Sequence, residues 1–181
     1  MFLAPSGANA KRAGFTLLEL LAVVGIIAIL SGLVLGVGRR AIESGKISRA
    51  KGELAVLTAA LEACQRSYGD FPQTDDVARL LQSLIGRRGP QNAALTGRAF
   101  IEATKFTTAS ALDPFTNTTA VLIDPWAQPY VYAYKSQTPW ANPSFVLYSL
   151  GPDGADSPVL LSGGFIDPAP PANADNLHAN R

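Results

Sequence analysis

Residues 15–38 form an almost unbroken apolar run in which Glu19 is the single charge. As a helix, about 24 such residues rise ~36 Å, enough to cross a ~30 Å hydrocarbon core. Past Arg39 the composition turns polar, but a helical rhythm persists. Ile47, Ala50, Leu54, Leu57, Leu61, Cys64 and Tyr68 recur at alternating spacings of three and four, a seam down one helix face. Gly69 and Pro72 end the pattern. The spacing predicts one helix from residue 15 to about residue 68. Its seam needs a partner. Fewer than three heptads, with alanine and cysteine among them, make a coiled-coil dimer the weaker account. The C-terminal part of the chain is expected to pack on the seam, with Cys64 a buried thiol.

Downstream, Val77, Leu80, Leu81, Leu84 and Ile85 mark the inner face of a short helix, with Thr74 or Asp75 as its cap. Residues 96–119 show little periodicity and read as a connector with a short helix near 98–105. Tyr130, Tyr132 and Tyr134 then alternate with Val131, Ala133 and Lys135, the period of a strand. Residues 145–150 read as a second strand, and Gly151-Pro152-Asp153-Gly154 as a turn. The class predicted is α+β: a long N-terminal helix, transmembrane and then amphipathic, packed on a small antiparallel β-sheet. Residues 162–181, rich in Gly, Pro, Ala and Asn, are expected to be an irregular tail.

The chain has 181 residues, 48% hydrophobic and 16% charged. Residues beyond 38 suffice for one small domain. A net charge of +1 gives no reason to expect a bulk polyanion partner. Arg87, Arg88, Arg98 and Lys105 are too dispersed to mark a phosphate-binding patch and read as solvated loop cations. One cysteine excludes an internal disulfide and a cysteine-rich metal site, and His178 is the only histidine. No nucleophile–base set, His-Glu-x-x-His motif, phosphate loop or dinucleotide fingerprint occurs. The expectation is that the chain is not an enzyme.

The chemistry lies at the N-terminus, where Lys11-Arg12-Ala13-Gly14-Phe15-Thr16-Leu17-Leu18-Glu19 leads into the apolar run. An ordinary secretory signal would be shorter and followed by small residues rather than Arg39-Arg40. A plain anchor fits the length but leaves Glu19 unexplained, since a lone acid in a spanning segment is costly and usually functional. The stretch resembles the leader junction of type IV pilins and type II secretion pseudopilins. The resemblance implies cutting by a prepilin peptidase on the cytoplasmic side between Gly14 and Phe15, N-methylation of Phe15, and Glu19 as the fifth mature residue. Cleavage would free an α-amino group, which ordinarily titrates at ~7.7–8.0 and is largely cationic near neutral pH. Glu19 lies one helical turn along and can meet that amine in its own chain or, in a stack of helices, in a neighbour. A buried carboxylate paired with an ammonium costs far less than either charge alone. Glu19 is therefore the candidate assembly residue.

Asp124-Pro125-Trp126-Ala127-Gln128-Pro129-Tyr130, the aromatic strand, and Ser149-Leu150-Gly151-Pro152-Asp153-Gly154 are similar to the C-terminal half of the major pseudopilin family of type II secretion. That resemblance implies a segmented chain: leader 1–14, transmembrane half 15–38, amphipathic half 39–72, globular periplasmic region 73–161 and tail 162–181. It implies a single-pass inner-membrane subunit that polymerises with its own copies into a periplasmic filament and helps export folded proteins. Its partners would be minor pseudopilins, the inner-membrane secretion platform, the prepilin peptidase and membrane lipid, with no nucleic acid. It also implies a possible calcium ion, for which Asp153 and Asp156 are the candidate ligands, with the Leu150 carbonyl and Ser157 nearby. The family's glycine- and acid-rich run after this turn is replaced here by Ser157-Pro158-Val159-Leu160-Leu161. Two other readings stay open: a type IV pilin for adhesion, motility or DNA uptake, which the absent C-terminal disulfide pair disfavours, and a monomeric anchored module that binds through an aromatic loop around Trp140.

Overall fold

A computed structural model describes residues 15–155 and 160–179, all but 33–37 and 160 with their side chains. The chain falls into two units, Met1–Ile42 and Glu43–Arg181. Its first element is helix α1, Leu17–Tyr68. The helix ends where the sequence says it should, at Gly69, whose φ of +83° is the left-handed value that closes a helix with glycine.

Within the second unit the expected seam is buried. Ala50, Leu57, Leu61 and Cys64 have no exposed surface and Leu54 has 2%. Leu54, Leu57 and Leu61 join one core with Phe71, Leu80, Leu81, Leu84, Tyr130, Tyr132, Phe145 and Leu147. Cys64 is a core thiol, and burial pushes its pKa up to about 11. A thiol so far from its thiolate is a poor nucleophile. Helix α2, Val77–Leu84, lays Leu80, Leu81 and Leu84 into the same core. Its cap is Asp76, not Thr74 or Asp75. Asp76 Oδ1 accepts from the backbone N–H of Ala78 at 2.8 Å and of Arg79 at 3.4 Å. Thr74 is used one step earlier: its hydroxyl accepts the Asp76 N–H, and its backbone bridges Tyr134.

The strands are short. Strands β1, Thr107–Thr108, and β2, Leu122–Ile123, pair antiparallel. Strands β3, Val131–Ala133, and β4, Val146–Ser149, form the expected antiparallel pair, with Tyr132 opposite Leu147. The connector 96–119 is thus not wholly irregular, since it supplies β1, and its helical turn is a 3-10 turn at Ala103–Lys105. Nor is the segment after residue 161 simply an irregular tail. Leu160–Leu161 (β5) and Phe165–Ile166 (β6) make a hairpin, and Leu177–His178 (β7) pairs with β4, giving the order β3-β4-β7. The composition hid this strand because β7 is two residues long, and its ladder is set by β4 rather than by its own alternation.

The seam fixes a prediction. Leu57→Ala should cost ~2–5 kcal/mol of stability, while Val56→Ala, at a neighbouring residue 52% exposed, should cost under ~1 kcal/mol. Urea unfolding of the two variants followed by circular dichroism checks the contrast.

Candidate functional site

The leader 1–14, including Gly14, lies outside the described residues, as do Asp156 and Ser157. Phe15 and Glu19 are described. Thr16 caps α1: its hydroxyl and its carbonyl accept from the Glu19 N–H at 3.2 and 3.1 Å. Thr16-Leu17-Leu18-Glu19 has the spacing of a capping box, a helix-start signal that the sequence carries in plain form. Only the threonine half of the box is made. The Glu19 carboxylate is exposed and has no hydrogen bond or ion pair with any described residue.

Around it the helix shows apolar side chains on every face. Leu17 is 84% exposed, Leu18 75%, Ile27 56% and Ile29 68%. Among the described residues no helix is long and apolar enough to cross a membrane. The described side chains of the run stop at Gly32, and from Leu17 that is sixteen residues, short of the ~20 a span needs. An apolar surface of this kind in water is a surface that binds something apolar.

The C-terminal motif explains how the second unit holds its share of α1. Asp124, 3% exposed, is the pivot. Its Oδ1 accepts from the Trp126 and Gln128 N–H groups, both at 2.9 Å, and its Oδ2 accepts the Ser149 hydroxyl at 2.6 Å. The two sequence motifs are therefore two ends of one hydrogen-bonded corner, which holds Ala127 at a left-handed φ of 67°. Gly151 follows Ser149 with φ +73°, and a β-carbon there would stand 2.4 Å from the Asp175 carbonyl. Only glycine fits.

From this corner the aromatic residues reach back to α1 and its exit. The Trp126 indole N–H donates to Glu43 Oε1 at 2.8 Å. The Tyr130 hydroxyl donates to Glu53 Oε2 at 2.5 Å, while Arg49 Nε holds Glu53 Oε1 at 2.7 Å. The Tyr132 hydroxyl donates to the Pro72 carbonyl at 2.8 Å and that of Tyr134 to Asp70 Oδ1 at 2.7 Å. Burial pushes the Tyr130 and Tyr132 hydroxyls well above the usual phenol range, so both remain donors at any ordinary pH. The alternation that marked a strand thus also supplies a row of hydroxyls aimed at α1 and the segment that leaves it.

The remaining candidates have structural partners. Arg87 lies over Phe115 and Arg98 over Phe100 at 5.7 and 5.3 Å from the ring centroids, Arg88 donates to Asn92, and Lys105 pairs with Glu102 at 2.8 Å. Trp140 is half-buried, edge-on to Tyr134, with Gly164 pressed against its ring. It does not present an open aromatic loop. At the turn, Asp153 Oδ1 accepts the Ala155 N–H and Asp175 Oδ2 accepts the Asp153 N–H. Calcium takes six to eight oxygens. No group of three or more His, Cys, Asp or Glu able to hold a metal occurs among the described residues. The described residues alone do not fit a calcium site.

Residues 9–35 match the prokaryotic N-terminal methylation motif, and residues 39–159 match the type II secretion system protein G family. The chain belongs to the type II secretion system protein G family. It is 28% identical over 167 residues to the type II secretion system core protein G of Pseudomonas aeruginosa, covering 92% of this chain and 97% of that one. No solved structure matches. The pseudopilin family and the α+β pilin-like architecture read from the sequence both stand. In this pseudopilin the family match runs through the Asp124 corner and ends close to the turn after β4.

The exit from α1 gives a pH test. Burial alone would raise the Asp70 pKa, but Lys135, Tyr134, Gln73 and the Phe71 N–H together outweigh it and hold the carboxyl at about 2, below the usual 3.8. A depressed carboxyl contributes stability above its unfolded pKa and loses it as pH falls through the folded value. After solvent screening the contribution is about 1 kcal/mol, lost between roughly pH 4 and pH 2. Acid unfolding of wild type and Asp70→Asn should therefore differ above that window and converge below it.

Proposed function

We propose that this pseudopilin is cut between Gly14 and Phe15, methylated on Phe15, and polymerised from the inner membrane into a periplasmic filament that helps drive type II secretion. The role is mechanical rather than catalytic. The observation that supports it is the N-terminal apolar segment of α1, exposed on every face, whose one carboxylate, Glu19, has no partner among the described residues.

Physics gives the sequence of events. In lipid the apolar side chains are satisfied, and the Phe15 ammonium freed by cleavage neutralises Glu19. A helix leaves lipid only if its apolar surface is buried again, and other copies of the same helix supply that surface. The same ammonium–carboxylate attraction between neighbours sets the step from one subunit to the next, since a mispaired register leaves two buried charges alone. Minor pseudopilins and the secretion platform are the partners the family reading supplies.

Mass spectrometry of the mature chain should give a species beginning at N-methyl-Phe15. Glu19→Ala should be processed normally yet form at least ~10-fold fewer filaments by electron microscopy, the effect of about 1.4 kcal/mol per added subunit. Normal filament numbers in Glu19→Ala would refute the register role. Calcium is tested separately. On the described ligands, ~5 mM calcium should move the melting temperature by less than ~2 °C, since weak binding stabilises little. A rise above ~5 °C that Asp153→Ala removes would place an ion at this turn, with Asp156 among its ligands.

A further inference from the structure

Within the second unit, each segment is placed by the level of α1 that it touches. Trp126 reaches Glu43, Tyr130 reaches Glu53 and Tyr134 reaches Asp70, so residues 126–134 climb the helix toward its exit. Strand β4 is antiparallel to β3 and returns, and β7 pairs Leu177 with Ser149. The turn after β4 and the residues just before β7 therefore lie toward the Glu43 level. There the Asp153 N–H donates to Asp175 Oδ2, which brings the two acids together. Neither has an ion-pair partner among the described residues. The whole stretch 136–180 holds four acids and no Lys or Arg.

The other end of the unit is cationic. Phe100 stands edge-on to Tyr68, the last residue of α1, with 5.7 Å between ring centroids, and Arg98 lies over the Phe100 ring. The Gly97 N–H donates to the Gly86 carbonyl at 2.8 Å, so Arg87 and Arg98 flank one backbone pairing. Both arginines are exposed, as is Phe115 beneath Arg87. An aromatic ring holds a guanidinium in place without neutralising it. Neither arginine has an ion-pair partner among the described residues. Asp113, two positions before Phe115, turns its oxygens to the Phe115 N–H and the Thr116 hydroxyl instead. Residues 77–105 hold five cations against Glu102 alone. Tyr68 follows Glu43 by 25 positions, a rise of ~38 Å.

Two patches of opposite sign so far apart cannot satisfy each other within one copy. They complement a second copy displaced along α1. A contact between unlike patches of identical chains need not close on itself and can propagate as a filament. We propose that the Arg87–Arg98 end of one copy docks on the Asp153–Asp175 end of another, a head-to-tail contact between domains. The inference rests on the filament reading above and adds to it a contact outside the apolar helices. The Phe115 ring, exposed beside Arg87, adds apolar area to the contact. Exposed charges of this kind fix orientation more than affinity, and the apolar helices supply the affinity.

The test uses the full-length chain, in membranes and in filaments. Arg98→Lys keeps the charge and supplies an amine that a zero-length carbodiimide joins to a carboxylate in contact with it. In a mixture of isotope-labelled and unlabelled chains, mass spectrometry should find position 98 joined to Asp153 or Asp175 of another copy. The yield should fall at least ~5-fold in ~0.5 M salt. Arg87→Glu/Arg98→Glu and Asp153→Lys/Asp175→Lys should each form ~10-fold fewer filaments alone and regain them when co-expressed, since each end then meets its opposite. The crosslink reads the contact even if the aspartate exchange disturbs its turn. Normal filament numbers in Arg87→Glu/Arg98→Glu overturn the proposal. So do filaments in which position 98 joins neither aspartate, an outcome that would assign the arginines to another anion. Chains that give the crosslink in membranes but never form filaments would keep the docking and refute the filament reading.

Discussion

One helix has to be buried by two different means. In its C-terminal part, Ala50, Leu54, Leu57, Leu61 and Cys64 point to one side and the domain covers them. In its N-terminal part the apolar residues occupy all sides, and no single flank packed by a small domain can cover such a cylinder. Only a surrounding medium or a set of neighbouring helices can. The division of labour is set by periodicity, a seam in one half and none in the other. The proposed exchange of lipid for protein contacts requires that difference.

The domain's hold on the seam is made polar as well as apolar. Apolar packing alone lets a helix slide or rotate against a sheet at low cost in area. The hydroxyls of Tyr130, Tyr132 and Tyr134 reach Glu53, Pro72 and Asp70, and the Trp126 indole reaches Glu43. Each is a directional bond to a fixed level of α1 or its exit, so together they fix register as hydrophobic contact cannot. The Asp124–Ser149 pair sets where this row begins, because it ties the loop bearing Trp126 to strand β4. If the helix transmits force along a filament, these bonds are what carry the domain with it.

Much of this is legible in the sequence. The seam, the glycine stop at Gly69, the buried Cys64 and the β3–β4 pair follow from spacings of 3.6 and 2, which are local properties of the chain. What escapes reading is non-local. That Asp124 would meet Ser149, or Trp126 meet Glu43 across 83 positions, leaves no periodic trace. The two-residue strands β1 and β7 are defined by their partners, not by their own composition. Asp76 takes the cap because it is the residue directly before the helix start at Val77, while the Thr74 hydroxyl accepts the Asp76 N–H. One local signal, the Thr16–Glu19 spacing, is easily missed because the charge of Glu19 in an apolar run draws the eye first.

The Thr16 cap and the assembly role proposed for Glu19 fit together in physical terms. A capping box closes when the glutamate side chain folds back to the cap residue's N–H, and a Glu19 held in that way would be turned toward its own helix start, with fewer acceptor sites to offer a neighbour. Here the threonine alone secures the first turn, through its hydroxyl and its carbonyl. The helix start is therefore ordered without the carboxylate, which stays exposed on a preformed first turn. Fixing the backbone before the partner arrives lowers the entropy that pairing must overcome. A helix end that frayed until it met an ammonium would make a poor register mark, because several alignments would order it almost equally well.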